Sequence, residues 1–122
     1  MKTKRTERVG SEFRKEITAI ISGPLKDREP ELSGLISVTE ADVAPDLKTA
    51  KIYVSIYAQT PEVKKRTFQI IRANAGFIRH ELAQVMRMRT VPELSFFEDG
   101  SMEYGSKMDE LFAKLHKDDE QH

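Results

Sequence analysis

Apolar positions along this chain fall into runs of two different periods. Val9, Phe13, Ile17, Ile20 and Ile21 lie 4, 4, 3 and 1 residues apart, the stripe of an amphipathic helix. Gly23-Pro24 predicts its end, because proline disfavours helix in the residue before it and glycine permits a reversed cap. LKDREPELSG (25–34) then reads as a polar connector. LISVTEADV (35–43) is rich in β-branched residues, and in AKIYVSIYA (50–58) Ile52, Val54 and Ile56 alternate with Tyr53, Ser55 and Tyr57. Both runs predict strands. The intervening APDLKT is short and holds Pro45 at the second position of a turn, so the two strands are expected to pair as an antiparallel hairpin.

The helical period returns at residue 60. Thr60 suits an N-cap and Pro61 the first helical position. Phe68, Ile71, Ala75, Ile78, Leu82 and Val85 then recur at intervals of 3, 4, 3, 4 and 3, a buried face. VPELSFFED (91–99) predicts a third, short strand with Leu94 and Phe96 on one side, and SKMDELFAKLHK (106–117) a final helix. Few strands with helices gathered on one face make an α+β domain. It is expected to span 1–117, with a solvated polar tail at 118–122.

Composition narrows the class. A chain of 122 residues is one domain able to bury a core without staples. It has no cysteine, so thiolate metal sites and cysteine nucleophiles are excluded. No apolar run approaches the roughly 20 residues of a membrane span, and MKTKRTERVG lacks the apolar segment of a signal peptide. A cytoplasmic protein is expected. His80, His116 and His122 are too scattered for a zinc site, and phosphate-loop, nucleophile-elbow and dinucleotide motifs are absent. The expectation is therefore a non-enzyme with no cofactor and no metal. Without a heptad seam it is expected to be a monomer.

Net charge is zero, and that total hides segregation. Residues 64–89 carry seven basic side chains and one acidic, whereas 90–122 carry three basic and nine acidic. A segment with a net charge of +6 attracts phosphate even on a neutral protein, unless the acidic tail folds back to screen it.

The basic segment contains RANAGFIRH (72–80), which sets two poor helix residues inside the strongest helical signal. A straight helix over 61–88 would be roughly 42 Å long, against a radius of gyration of about 14 Å for a compact chain of this size. A bend at Asn74, Ala75 and Gly76 is expected. On a helical wheel Arg72 and Arg79 fall together beside the buried stripe, with Gly76 next to them and His80 and Arg87 on the same side. The candidate RNA-binding set is Lys64, Lys65, Arg66, Arg72, Asn74, Gly76, Arg79, His80, Arg87 and Arg89, helped by Lys4, Arg5 and Arg8. Gly76 would permit backbone approach; close packing of helix on sheet explains a glycine there equally well. Reversing Arg72 and Arg79 to glutamate is expected to weaken RNA binding with little loss of stability.

Four stretches carry a family resemblance: RVGSEFRKEI, ISVTEADVAPDLKTAKIYVSI, GFIRHEL and MRMRTVPELSFFED. In this order and spacing the chain resembles bacterial ribosome-binding factor A over about residues 5–115. The resemblance implies a type II KH-like domain, α-β-β-α-α-β, with a bent helix pair replacing the usual Gly-X-X-Gly loop. It further implies a non-enzymatic factor that binds the immature 30S subunit, promotes maturation of the 5′ end of 16S rRNA and is needed in cold growth. Assembly GTPases are expected to release it. Where the family has Ala-X-Gly at the bend, this chain has Asn74, Ala75 and Gly76, and asparagine should keep the bend by adopting left-handed backbone or capping a helix. Two readings compete: a generic single-stranded RNA-binding KH module, and a basic helix that docks an acidic protein.

Overall fold

A computed structural model describes residues 4–99. The helix expected over 106–117 and the polar tail lie outside the described residues. The elements are α1 (Lys4–Ile20), a π-helical turn (Ile21–Leu25), α2 (Lys26–Arg28), β1 (Leu35–Val43), β2 (Thr49–Tyr57), α3 (Pro61–Ala73), α4 (Ala75–Met86) and β3 (Glu93–Glu98). This is the α-β-β-α-α-β order of a type II KH-like domain.

The three strands form one sheet in the order β1-β2-β3. β1 and β2 pair antiparallel, from Leu35 opposite Tyr57 to Val43 opposite Ala50. The turn between them closes as its sequence predicts: the Leu47 N–H donates to the Ala44 carbonyl at 2.8 Å, with Pro45 second in the turn. β3 pairs parallel to β2. Parallel neighbours need a long crossover, which α3 and α4 supply. The inward faces carry Val38, Ile52, Val54, Ile56, Leu94 and Phe96 against Phe13, Ile17, Ile71, Ile78 and Leu82 from the helices, all buried. Outward register positions hold Glu40, Asp42 and Glu93 against one cation, Lys51, so the sheet face away from the helices is acidic.

α1 lies along β1, and two contacts fix it there. Gly10 faces the strand so closely that a Cβ would stand 2.6 Å from the Ala41 carbonyl oxygen. At a bulge in β1, the Val38 N–H donates to Thr18 Oγ1 at 3.1 Å.

Gly23-Pro24 does not end the first helix. The chain continues through the wide turn into α2, because Ile21 and Leu25 stay in the core only if it does. Widening the turn relieves the clash of the proline ring with the preceding turn's carbonyl. The connector is accordingly less polar than it reads, since Leu25 and Leu32 are both buried.

The apolar stripe of the second helix pair shifts only at its end. Val85 is 53% exposed, whereas Met86 packs against the core. The predicted row Ile71, Ala75, Ile78, Leu82 runs in phase across the break between α3 and α4, and only its last member differs, Met86 four residues after Leu82 in place of Val85 three after.

Candidate nucleic-acid interface

α3 begins at a capped end: the Val63 N–H donates to Thr60 Oγ1 at 3.2 Å, and Pro61 opens the helix. Thr67 and Ile71 point into the core, so Lys65, Arg66 and Arg72 are left exposed. At about 100° per residue, Lys65 and Arg72 share one outward line and Arg66 flanks it. Arg72 lies over the Phe68 ring at 5.8 Å, which holds the guanidinium near the surface without burying it. Among the described residues none of these three has a carboxylate within ion-pair distance.

The break between α3 and α4 is a single residue, Asn74, at φ −104° and ψ 20°. This is not the left-handed conformation expected, nor does the asparagine side chain cap α4. It turns inward instead: Nδ2 donates to the Ile70 carbonyl at 2.8 Å, and Oδ1 accepts from Arg28 Nε at 3.1 Å. The residue is buried and its amide is spent on holding the bend to α2. Arg28 also stacks over Phe77 at 4.8 Å, so that ring belongs to the hinge. Ala75 and Gly76 are already helical, as the opening turn of α4. Gly76 is exposed, and a Cβ there would meet nothing within 4 Å, so helix-on-sheet packing does not require the glycine.

The remaining cations divide. Lys64 is mostly covered and pairs with Glu98 at 3.0 Å, which ties α3 to the end of β3. Arg79 is tied into the fold. Its Nε and Nη2 donate to the Val91 carbonyl at 3.1 and 2.8 Å, pinning α4 to the segment that leads into β3. His80 bonds to Gln84 on its own helix at 3.0 Å. Arg87 ends α4 in left-handed backbone, φ 53°. Lys4, Arg5 and Arg8 are exposed on α1, with Arg8 4.0 Å from Glu12.

One expectation changes as a result. Removing Arg79 costs stability as well as charge, because a part-buried carbonyl loses both donors. Arg79→Ala is expected to destabilise the fold by about 1–2 kcal/mol, measured by urea unfolding; an unchanged midpoint would mean the clamp contributes nothing. Arg72 alone is the clean probe of surface charge.

Sequence reasoning passed over Lys48 and Arg28. Lys48 is exposed in the β1–β2 turn, and the start of α1 and the α4–β3 link converge on it in space. Nothing in its local sequence marks it out. Arg28 was hidden in a stretch that reads as connector. Among the described residues no helix is long and apolar enough to cross a membrane, and no group of metal-binding side chains occurs.

Residues 5–112 match the family model "Ribosome-binding factor A". Ribosome-binding factor A of Caldanaerobacter subterraneus is 41% identical over 113 residues, covering 93% of this chain and 90% of that one. The solution structure of a Thermotoga maritima protein described as a ribosome-binding factor A superposes with a TM-score of 0.66 at 27% identity, over 83% of this chain and 92% of that one. A homology model of Thermus thermophilus ribosome-binding factor A, fitted into the cryo-EM map of a 30S complex with that factor, shares the fold at 18% identity with a TM-score of 0.59, over 75% of this chain and 91% of that one. By both sequence and fold, the chain belongs to the ribosome-binding factor A family.

Proposed function

We propose that this protein is a cytoplasmic assembly factor that binds the immature 30S subunit and assists late maturation of 16S rRNA, including its 5′ end. The observation that carries this reading is the outward face of α3, where Lys65, Arg66 and Arg72 are exposed on a helix whose other face is locked in the core. Family membership and the Thermus relative's 30S complex support the choice of partner. Guanidinium forks and ammonium groups on a rigid helix neutralise phosphates and release their counterions. The protein acts as a monomer and by binding alone: it holds a local rRNA conformation while nucleases finish the ends, and makes or breaks no bond. Assembly GTPases release it. Slow rRNA rearrangement in the cold makes that hold most needed at low temperature.

Cells lacking the protein, grown cold, should accumulate free small subunits and 5′-extended 16S rRNA in sucrose-gradient and primer-extension analysis. Normal profiles with mature ends would sink the proposal.

Gly76 gives a finer test. Gly76→Ala fills open space on a helix and should raise stability by about 0.5–1 kcal/mol. If rRNA backbone approaches α4 there, the same methyl weakens small-subunit binding several-fold. A stabilised variant that binds as tightly as the parent would take Gly76 out of the interface.

A further inference from the structure

A groove of about 500 Å³ opens where three distant segments meet: the start of α1, the β1–β2 turn and the link from α4 to β3. Its floor is apolar, formed by Leu47 and Met88, both half-buried against the core. Arg5, Lys48 and Arg89 stand on its rim, each exposed. The one carboxylate beside them, Asp46, accepts the Lys48 backbone N–H at 3.0 Å.

The turn side of the groove is held in place by backbone hydrogen bonds. Leu47 sits at φ 60° and Arg87, next to Met88, at φ 53°, the two non-glycine residues with left-handed backbone among those described. Bulky side chains adopt that region only where surrounding bonds enforce it. At Leu47 they do: its N–H is held by the Ala44 carbonyl, and the Lys48 carbonyl accepts from Glu93 N–H at 2.9 Å. The turn and the start of β3 are thereby fixed to each other.

An apolar floor inside a ring of three cations matches a ligand with a flat apolar face and a negative charge at its edge. We propose that this groove seats one unpaired nucleotide of RNA, its base against Leu47 and Met88 and its phosphate among Arg5, Lys48 and Arg89. A bare phosphate would leave the floor unused. An acidic peptide would offer carboxylates but no planar face to cover a leucine and a thioether. Single strands are usually held by cations along the backbone and bases stacked on aromatic rings, with arginine planes adding to the stack; here Leu47 and Met88 supply the apolar face in place of a ring. The volume lies within the range of small-ligand sites. This inference rests on the RNA-binding reading above and extends it to unpaired RNA at a second place on the surface.

The test uses the full chain with 13C-labelled methionine methyl groups, five in all, Met88 assigned through Met88→Leu. A mixed-sequence single-stranded oligoribonucleotide should shift the Met88 methyl resonance, whereas inorganic phosphate, a duplex of the same composition and a poly-glutamate peptide should not. Lys48→Glu should weaken single-strand affinity about tenfold, with Lys48→Arg restoring it, as a phosphate contact requires. A silent Met88, an equal shift with any control, or full affinity in Lys48→Glu would overturn the proposal. Cosedimentation with small subunits is measured on the same sample. Retained cosedimentation with a silent Met88 removes the groove alone; lost cosedimentation removes the reading beneath it as well.

Discussion

Reversing three charges on α3, in the variant Lys65→Glu, Arg66→Glu, Arg72→Glu, should lower affinity for isolated small subunits by about a hundredfold or more while leaving thermal unfolding nearly unchanged. The side chains point away from the core and have no carboxylate partner among the described residues, so the folded state loses little. The contact of Arg72 with Phe68 is the one local interaction sacrificed, and at an exposed site it contributes about 0.5–1 kcal/mol. The bound state loses much more, because each neutralised phosphate contributes through counterion release. A salt titration separates the two effects. The slope of log affinity against log salt should flatten by roughly 2–3 in the variant. A folded variant with parental affinity and slope would show that α3 does not face RNA.

The second large effect is structural. Gly10→Val should destabilise the protein by about 3 kcal/mol or more, a large fraction of the roughly 5–15 kcal/mol that holds a domain together. Its Cβ would stand 2.6 Å from the Ala41 carbonyl oxygen, and that atom is backbone in a hydrogen-bonded strand, so it cannot swing aside. Either α1 lifts from β1 or the strand bends. Relief of the helix-interior glycine cost, about 1 kcal/mol, offsets only part of this. Gly10→Ala should lie between parent and valine in urea unfolding. A stabilised alanine variant would mean that α1 sits farther from β1 than described. Gly10 and Gly76 make a useful pair: both are helical glycines, and the expected stability changes have opposite sign because one faces a strand and the other faces open space.

Local signals were readable wherever local physics decided the outcome. Alternation in β2 matches its buried row of Ile52, Val54 and Ile56, and Thr60-Pro61 marks the start of α3 where the structure has it. The break in the long helix falls on Asn74, inside the expected Asn-Ala-Gly, because length and composition both opposed a straight rod. The manner of bending was not readable. It depends on Arg28 and Glu29, which are more than forty residues away in sequence, coming within reach of the Asn74 amide. The end predicted at Gly23-Pro24 failed for a similar reason: burial of Ile21 and Leu25 outweighs the local preference to stop.

Charge was the least complete guide. Seven cations between 64 and 89 read as one basic surface, yet folding uses Lys64 on Glu98 and Arg79 on Val91, and leaves Lys65, Arg66 and Arg72 facing outward. By itself the sequence determined the α+β order, the strand pair, the helix start at Thr60 and the family, because periodicity, caps and turn residues act within a few positions of one another. Only the tertiary structure decided which cations remain available, which way Asn74 turns, that β3 lies parallel beside β2, and that Arg5, Lys48 and Arg89 share one groove. Those outcomes depend on contacts between segments tens of residues apart, and no local pattern encodes them.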